Sequence, residues 1–459
     1  MSEQISIHGQ WSSRLTFILA ATGAAVGLGN VWKFPYLVGE NGGGAFVLVY
    51  LVSIALIGVP VMISEVLIGR RGRQSPINSL RDLAGEAQSN CRWQYIGALG
   101  MVAGLIITSY YSVIAGWTLA YAVRMAGGVF SGVTKDGAES IFAFLVSDPE
   151  RMLAWHTLFI VMTAMVVSRG VRSGLEHAIK ILMPALFLLL LILVGYAYIS
   201  TNDHFGQGVS FMFNIDFAAL TTGGVLTAMG HAFFTLSLGA GAVMVYGSYL
   251  PSDVPIAKTV LAVAAFDTII ALLAGLAVFP LVFASELAPA SGPGLIFLSL
   301  PIAFGHMPFG WLFGTLFFIL LLFAAWTSAI ALLEPMVAWL VENRQVQRIR
   351  AAVWVGLFTW LLGVVSILSF GAWSFEFDFA GEVRRHGVYD LLDILSSSII
   401  LPIGGFAIAL FAGWVLPKTL LVEELGGRTG TGFRLWYAAI RIVAPAALLL
   451  ILLGAIGVI

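Results

Sequence analysis

The chain has 459 residues, 59% of them hydrophobic and 10% charged, with a mean hydropathy of +0.96. Too little polar surface remains to cover a soluble protein of that size, so the composition describes an integral membrane protein and excludes sizeable soluble domains. A net charge of −1 without any basic block excludes a phosphate-binding footprint for nucleic acid, and the single cysteine, Cys91, excludes an intramolecular disulfide or a cysteine metal cluster.

Met1 to Gln10 is polar and lacks a basic segment followed by an apolar run and a small-residue cleavage site, so no cleaved signal peptide is expected. Beyond it, uncharged apolar runs long enough to cross ~30 Å of hydrocarbon are bounded by charges or turn residues. They predict eleven spans, at 12–37, 43–69, 94–124, 152–170, 175–199, 215–250, 255–284, 309–341, 347–371, 389–416 and 433–457. With the N-terminus in the cytoplasm, 17 of the 23 Lys and Arg residues fall in inner segments, a bias that sets the orientation and puts Ile459 on the outer side. Of the outer connections, Ser285 to Pro308 is rich in Pro, Gly and Ala and suits a re-entrant or lid-like hairpin, the alternative being an ordinary loop. The charged stretch Phe375 to His386 caps the ninth and tenth spans.

Glycine inside a span frees backbone groups that lipid cannot satisfy, so a glycine cluster there is buried in protein or lines a cavity. Two clusters stand out: Gly23, Gly27 and Gly29 in span one, and Ser237-Leu-Gly-Ala-Gly241 in span six. Span six carries no Asp, Glu, Lys or Arg from Phe217 through Ser252, longer than one crossing needs, which a broken or tilted helix accommodates. If spans one to five and six to ten form two halves, the clusters occupy corresponding positions, the sequence pattern of a transporter site at the bilayer midplane, known from sodium-coupled transporters. The alternative is that these glycines only permit close helix packing.

Polar groups inside the spans add to the pattern. Asp267 sits well within span seven, where a carboxylate costs at least ~2.5–3.5 kcal/mol. No Lys or Arg lies at comparable depth in spans six to eight, so a bound cation or a proton is the economical counter-charge. Asn30, Thr235, Thr327 and Ser328 supply neutral oxygens, and an oxygen-only set suits a hard cation such as sodium. Thr327 and Ser328 are also residues that bond back onto their own helix. Glu65 either accepts from amides freed by the break in span one or sits at the inner interface near Arg70; Glu334, beside Pro335, satisfies carbonyls at that kink; His231 reads as a satisfied interior histidine.

Trp11-Ser-Ser-Arg14, Gly27-Leu-Gly-Asn-Val-Trp-Lys-Phe-Pro-Tyr36 and Glu40-Asn-Gly-Gly-Gly-Ala-Phe46 closely resemble the first-helix signature of the neurotransmitter:sodium symporter family. Gly58-Val-Pro60 with Glu65, Ser109-Tyr-Tyr111, Phe233-Phe-Thr-Leu-Ser-Leu-Gly239 and Thr327-Ser328 extend the similarity from Trp11 to the last span. The resemblance implies an all-α transporter unit over 1–459 of the leucine-transporter type: two inverted five-helix repeats, about 12–199 and 215–416, and an eleventh helix at about 433–457. Helices one and six are then broken at mid-membrane around an amino acid and two sodium ions.

Position by position, the resemblance implies a first sodium site of the Ala25 carbonyl, Asn30, Thr235 and Asp267, completed by the substrate carboxylate. It implies a second of the Gly23, Val26 and Ala324 carbonyls with the Thr327 and Ser328 hydroxyls. The substrate pocket is lined by Ala25, Leu28, Gly29, Ile107, Tyr111, Phe234, Thr235, Ser237, Ala240, Ser328 and Leu332, with Tyr111 on the substrate carboxylate and Phe234 as outer lid. Gly29 stands close to where amine-transporting relatives carry an aspartate, and Ala240 replaces a bulkier residue, so large hydrophobic or aromatic L-amino acids are the expected substrates.

Asp267 stands where asparagine is usual, and Ala271 replaces a chloride-coordinating serine or a substituting glutamate, so chloride-independent transport is expected, with Asp267 a group that can take a proton on the return step. Outside, Lys33 stands for an arginine opposite Asp393 and loses its bidentate fork. Inside, His8 stands for an arginine opposite Glu342, and a histidine makes that latch pH-sensitive; Trp11 and Tyr249 are the flanking gate residues. The reading is a sodium-coupled importer in the inner membrane of a bacterium, working by alternating access in the lipid bilayer. The rival is a transport-inactive receptor on the same scaffold; no catalytic constellation such as His-Glu-x-x-His points to an enzyme.

Overall fold

A computed structural model describes residues 6–201, 204–285, 294–427 and 429–458. Among them, nine helices are long and apolar enough to cross a bilayer: Gly44–Gly72, Cys91–Ala126, Pro149–Ser168, Val171–Ser200, Ile256–Ala284, Gly310–Arg344, Arg348–Leu368, Gly387–Val415 and Thr431–Ala455. Two more spans are broken. Arg14–Ala25 and Gly29–Glu40 meet at 57°, and Thr222–Thr235 is followed after an unwound stretch by Ala242–Ser248. Numbered in chain order these are the eleven spans, and the breaks fall in spans one and six.

Each break has a local cause. In span one Val26 turns extended (ψ 103°), and two amides that leave the helix find side chains: Leu28 N–H donates to the Tyr111 hydroxyl (3.0 Å) and Gly27 N–H to Asn30 Oδ1 (3.2 Å). Buried amides must be paired somewhere, and here span three and the helix's own asparagine do it. In span six the chain passes through positive φ at Ser237 (54°), Gly239 (79°) and Gly241 (76°). At Gly239 a Cβ would also stand 2.7 Å from the Leu401 carbonyl of span ten, so glycine is required there by both conformation and space.

The core is the contact of span three with span eight, with spans four and nine on its flank; span one runs between spans seven and eight. The inner half of span six lies on span two so closely that a Cβ on Gly247 would be 2.8 Å from Val66 O, the small-residue packing that lets membrane helices touch by backbone.

One outer connection differs from expectation in its described part. Residues 286–293 of the Ser285 to Pro308 stretch lie outside the described residues; the described remainder holds a helix, Leu295–His306, with Leu295, Phe297, Leu300 and Phe304 buried. It is apolar because it packs beneath the outer surface, where Gly132 N–H donates to Gly305 O (2.9 Å), and that remainder forms no hairpin. The Phe375 to His386 stretch does contain a hairpin, Phe377–Phe379 paired antiparallel with Glu382–Arg384. On the opposite side, span two leads into a short helix, Pro76–Glu86.

Candidate functional site

The two breaks face each other, joined by Ser237 Oγ donating to Ala24 O (2.7 Å). Beside them Asp267 is fully buried, and its neighbours are neutral: Asn30 Nδ2 donates to Oδ1 (2.8 Å), the Thr235 hydroxyl lies 3.4 Å from both carboxylate oxygens and the Tyr50 hydroxyl 3.5 Å from Oδ2. No described Lys or Arg pairs with it within 4.0 Å. A buried carboxylate surrounded by an amide and hydroxyls is a hard, oxygen-rich site with one uncompensated negative charge, which fits a monovalent cation. Of the four residues expected at the first ion site, Asn30 and Thr235 both contact Asp267, and the fourth, Ala25, lines the adjoining cavity.

The second cluster joins spans one and eight. Ser328 Oγ reaches across to Val26 O (3.2 Å) and Gly23 O (3.4 Å), while the Thr327 hydroxyl bonds back to Ala324 O (3.1 Å) and Phe323 O (3.0 Å). Thr327 therefore makes the local bond that its residue type favours, and Ser328 makes the long-range one. A Cβ on Gly23 would lie 3.3 Å from Thr327 Cβ, so the glycine lets the two spans approach. The five residues bring three carbonyls and two hydroxyls together with no formal charge among them.

Between these clusters is a cavity of about 40 Å³ lined by Ala25, Gly27, Gly29, Ile107, Tyr111, Phe234, Thr235, Ser237, Ala240, Ser328, Leu332 and Leu401. Of the expected lining only Leu28 is elsewhere: it is buried with its amide on Tyr111, and its side chain does not line the cavity. Gly27 and Leu401 were missed. Gly27 is in the first-helix signature and was legible as a neighbour; nothing in the apolar run of span ten singles out Leu401. A larger cavity of about 340 Å³ lies on the outer side, and Phe234 and Leu401 line both, so these two side chains are the partition.

The gates are arranged differently from one another. Outside, Lys33 and Asp393 are not brought together: Lys33 Nζ lies 4.9 Å from the centre of the Phe234 ring, and Asp393 Oδ1 accepts from Tyr110 (2.9 Å) and Ser397 (3.0 Å). Lysine lacks the planar fork that would hold a carboxylate, and two hydroxyls already satisfy Asp393, so the amine settles on the aromatic face. Inside, His8 Nε2 is 3.1 Å from Glu342 Oε1, with both side chains nearly inaccessible, and Glu342 also accepts from Ser75 N–H and Asn78 Nδ2. Trp11 donates to Tyr246 O (3.0 Å) and stands edge-on to Tyr249, whose hydroxyl donates to Glu334 (2.7 Å).

Three expectations about buried ionisable groups are corrected. Glu65 accepts from the Gly239 amide (2.7 Å), so it serves the break in span six, not span one, because the inner half of span six is what packs on span two. Glu334 bonds Tyr249 and Arg348 across elements and does not satisfy carbonyls at its kink. His231 is buried without a hydrogen-bond partner on either ring nitrogen among the described residues, stacked on Phe34 and tilted against Tyr50, so it is not satisfied. Replacing Glu65 by alanine leaves the Gly239 amide orphaned, at a cost of about 1–3 kcal/mol. Glu65→Ala is therefore expected to lower the unfolding temperature and to abolish most uptake, whereas Glu65→Gln, which keeps a carbonyl acceptor, stays close to wild type in both measurements.

This arrangement, two facing helix breaks with cation-type oxygen clusters around a small cavity, is that of a sodium-coupled membrane transporter. A model of the sodium:neurotransmitter symporter family matches residues 8–128 and 148–458. The chain is 36% identical to the uncharacterized sodium-dependent transporter YhdH of Bacillus subtilis, over 100% of this chain and 99% of that protein. It is 33% identical to an uncharacterized sodium-dependent transporter of Haemophilus influenzae, over 97% of each chain. The crystal structure of MhsT in complex with L-phenylalanine superposes with a TM-score of 0.87 at 41% identity, covering 97% of this chain and 99% of that one. The chain belongs to the sodium:neurotransmitter symporter family. It is a multi-pass, sodium-dependent symporter with the leucine-transporter-type fold, and not an enzyme.

Proposed function

We propose that this protein imports large hydrophobic or aromatic L-amino acids, coupled to two sodium ions and independently of chloride. The observation that carries the reading is Asp267: a buried carboxylate whose contacts are an amide and hydroxyls, beside a pocket walled by the small Ala240. Its charge does at the first sodium site what a bound chloride would otherwise do, and a second anion beside it would be repelled. The phenylalanine bound to MhsT, a relative of this fold, supports the substrate class.

Sodium and a zwitterionic amino acid bind together from outside. The Tyr111 hydroxyl, already accepting from Leu28 N–H, keeps its own proton for the substrate carboxylate, which shares the first ion with Asp267, Asn30, Thr235 and Ala25. A cavity of 40 Å³ holds a water or two, so a large side chain enters only as Phe234 and Leu401 yield towards the 340 Å³ outer cavity. Lys33 holds the lid closed through the Phe234 ring. On the inner side, His8, Trp11 and Tyr249, with Glu342, Glu334 and Arg348, must part before the second sodium leaves from Gly23, Val26, Ala324, Thr327 and Ser328. The halves at about 12–199 and 215–416 rock about this centre, the protein sitting in a bacterial inner membrane with its N-terminus inside, as 17 of 23 basic residues favour. Two sodium ions supply ~4.6 kcal/mol per 100 mV, enough for roughly a thousandfold accumulation.

Uptake of labelled phenylalanine into proteoliposomes tests the reading. Uptake is expected to need sodium, to be unchanged when gluconate replaces chloride, and to be competed by tryptophan, tyrosine and leucine more strongly than by alanine. Ala240→Phe fills the side-chain pocket and is expected to weaken tryptophan competition by about tenfold or more while sparing alanine. Sodium-dependent binding without uptake would identify a receptor instead, and a chloride requirement would overturn the role given to Asp267.

A further inference from the structure

Away from the transport site, a membrane-facing groove of about 550 Å³ runs between spans three, eight and nine, with Leu392 of span ten completing its wall. Its walls come from two helical stripes. On span eight Met336 and Leu340 lie four residues apart, and on span nine Trp354, Phe358 and Leu362 do the same, so each set lines one face. Continuing each stripe by one step towards the inner end reaches Arg344, the last residue of span eight, and Arg350, in the first turn of span nine. Both arginines are exposed, and neither has an ion pair or hydrogen bond among the described residues. The acidic residues of span eight are turned elsewhere: Glu334 is held by Tyr249 and Arg348, Glu342 by His8, Ser75 and Asn78.

Span nine opens beside these arginines without a side-chain cap: Gln347 makes no capping hydrogen bond, so the first amides of the helix, which face its inner end, have no side-chain acceptor among the described residues. Trp354, 65% exposed, stands one turn further in, the depth at which interfacial aromatics sit. From Arg350 to Leu362 is twelve residues, about 18 Å of helix, close to the ~15 Å depth of one leaflet's hydrocarbon.

We infer that this groove is a binding site for an anionic phospholipid of the inner leaflet, one acyl chain lying along Leu340, Phe358 and Leu362 and the phosphate held by Arg344, Arg350 and the free amides of span nine. Apolar walls alone would accept any lipid. The two cations beyond one end, without an ion pair among the described residues and about one leaflet's depth from Leu362, select a negative headgroup at that surface. The site is separate from the substrate cavity and does not depend on which amino acid is carried.

Native mass spectrometry of the purified full-length protein, delipidated and then titrated with phosphatidylglycerol or phosphatidylcholine, tests it. Wild type is expected to retain phosphatidylglycerol in preference to phosphatidylcholine. The double variant Arg344→Gln, Arg350→Gln is expected to lose that retention by about thirtyfold, and Arg344→Lys, Arg350→Lys to keep most of it. Sodium-dependent substrate binding, measured on the same samples, reports that each variant is folded. Equal retention of the two lipids by wild type, or unchanged phosphatidylglycerol retention in the glutamine variant, overturns the site. So does a dimer that Val102→Trp abolishes without altering lipid retention, because the groove would then be an interface between copies.

Discussion

Asp267→Asn is expected to abolish uptake in chloride-free medium. Its carboxylate is the one formal negative charge in contact with Asn30, Thr235 and Tyr50, and it is fully buried. Removing one partner of a buried charge pair costs about 3–5 kcal/mol, so sodium affinity at the first site should fall by about a hundredfold or more. The amide keeps the geometry, so the loss belongs to the charge and should appear in sodium titrations of substrate binding as well as in uptake. Ala271 lies one turn along the same helix, buried. Adding Ala271→Ser to Asp267→Asn supplies a hydroxyl where chloride-using relatives carry one, and is expected to restore part of the uptake only when chloride is present. Chloride-free uptake by Asp267→Asn at the wild-type rate would remove the charge from the mechanism.

Gly27→Ala should be nearly as damaging for a different reason. A Cβ there would stand 2.8 Å from Ser328 Oγ and 2.9 Å from the Tyr111 hydroxyl. One methyl group would push apart the Ser328 hydroxyl, proposed to ligate the second sodium, and the Tyr111 hydroxyl, proposed to hold the substrate carboxylate. Neither can retreat freely, since Ser328 is tied to Gly23 and Val26 and Tyr111 to Leu28. Displacement of such groups by a fraction of an ångström to 1 Å costs on the order of a hundredfold in rate. The expected result is normal expression and thermal unfolding with uptake near background, and weakened sodium dependence of binding. Wild-type uptake in Gly27→Ala would mean that Tyr111 and Ser328 do not act together.

What the sequence specifies about this fold on its own is what is local to one segment. Span lengths, the two glycine clusters and the lone charge of span seven are properties of short segments, set by the cost of unpaired backbone and bare charge in lipid. They located both breaks and the buried charge; most of the cavity lining came from the family resemblance, position by position. Glu65 was misread because its partner, the Gly239 amide, is 174 residues away, and only the packing of span six on span two selects it over the break in span one. Leu401 was invisible for a similar reason: it is one apolar residue among many, and it becomes a partition only because span ten crosses above Gly239. Lys33 is the reverse case. Its position was legible, but the expected contact with Asp393 was displaced by Tyr110 and Ser397, which no local rule foresees.

The sequence by itself determined that this is a membrane protein of eleven spans with two defects, an intramembrane carboxylate and a recognisable family signature, because hydropathy, glycine placement and charge act at the scale of one helix. The tertiary structure decided which oxygens meet, that Ser328 rather than Thr327 reaches across to span one, and that the Lys33 amine lies over the Phe234 ring and not against Asp393. Those outcomes depend on helices far apart in the chain being pressed side by side, and packing of that kind is a property of the whole fold.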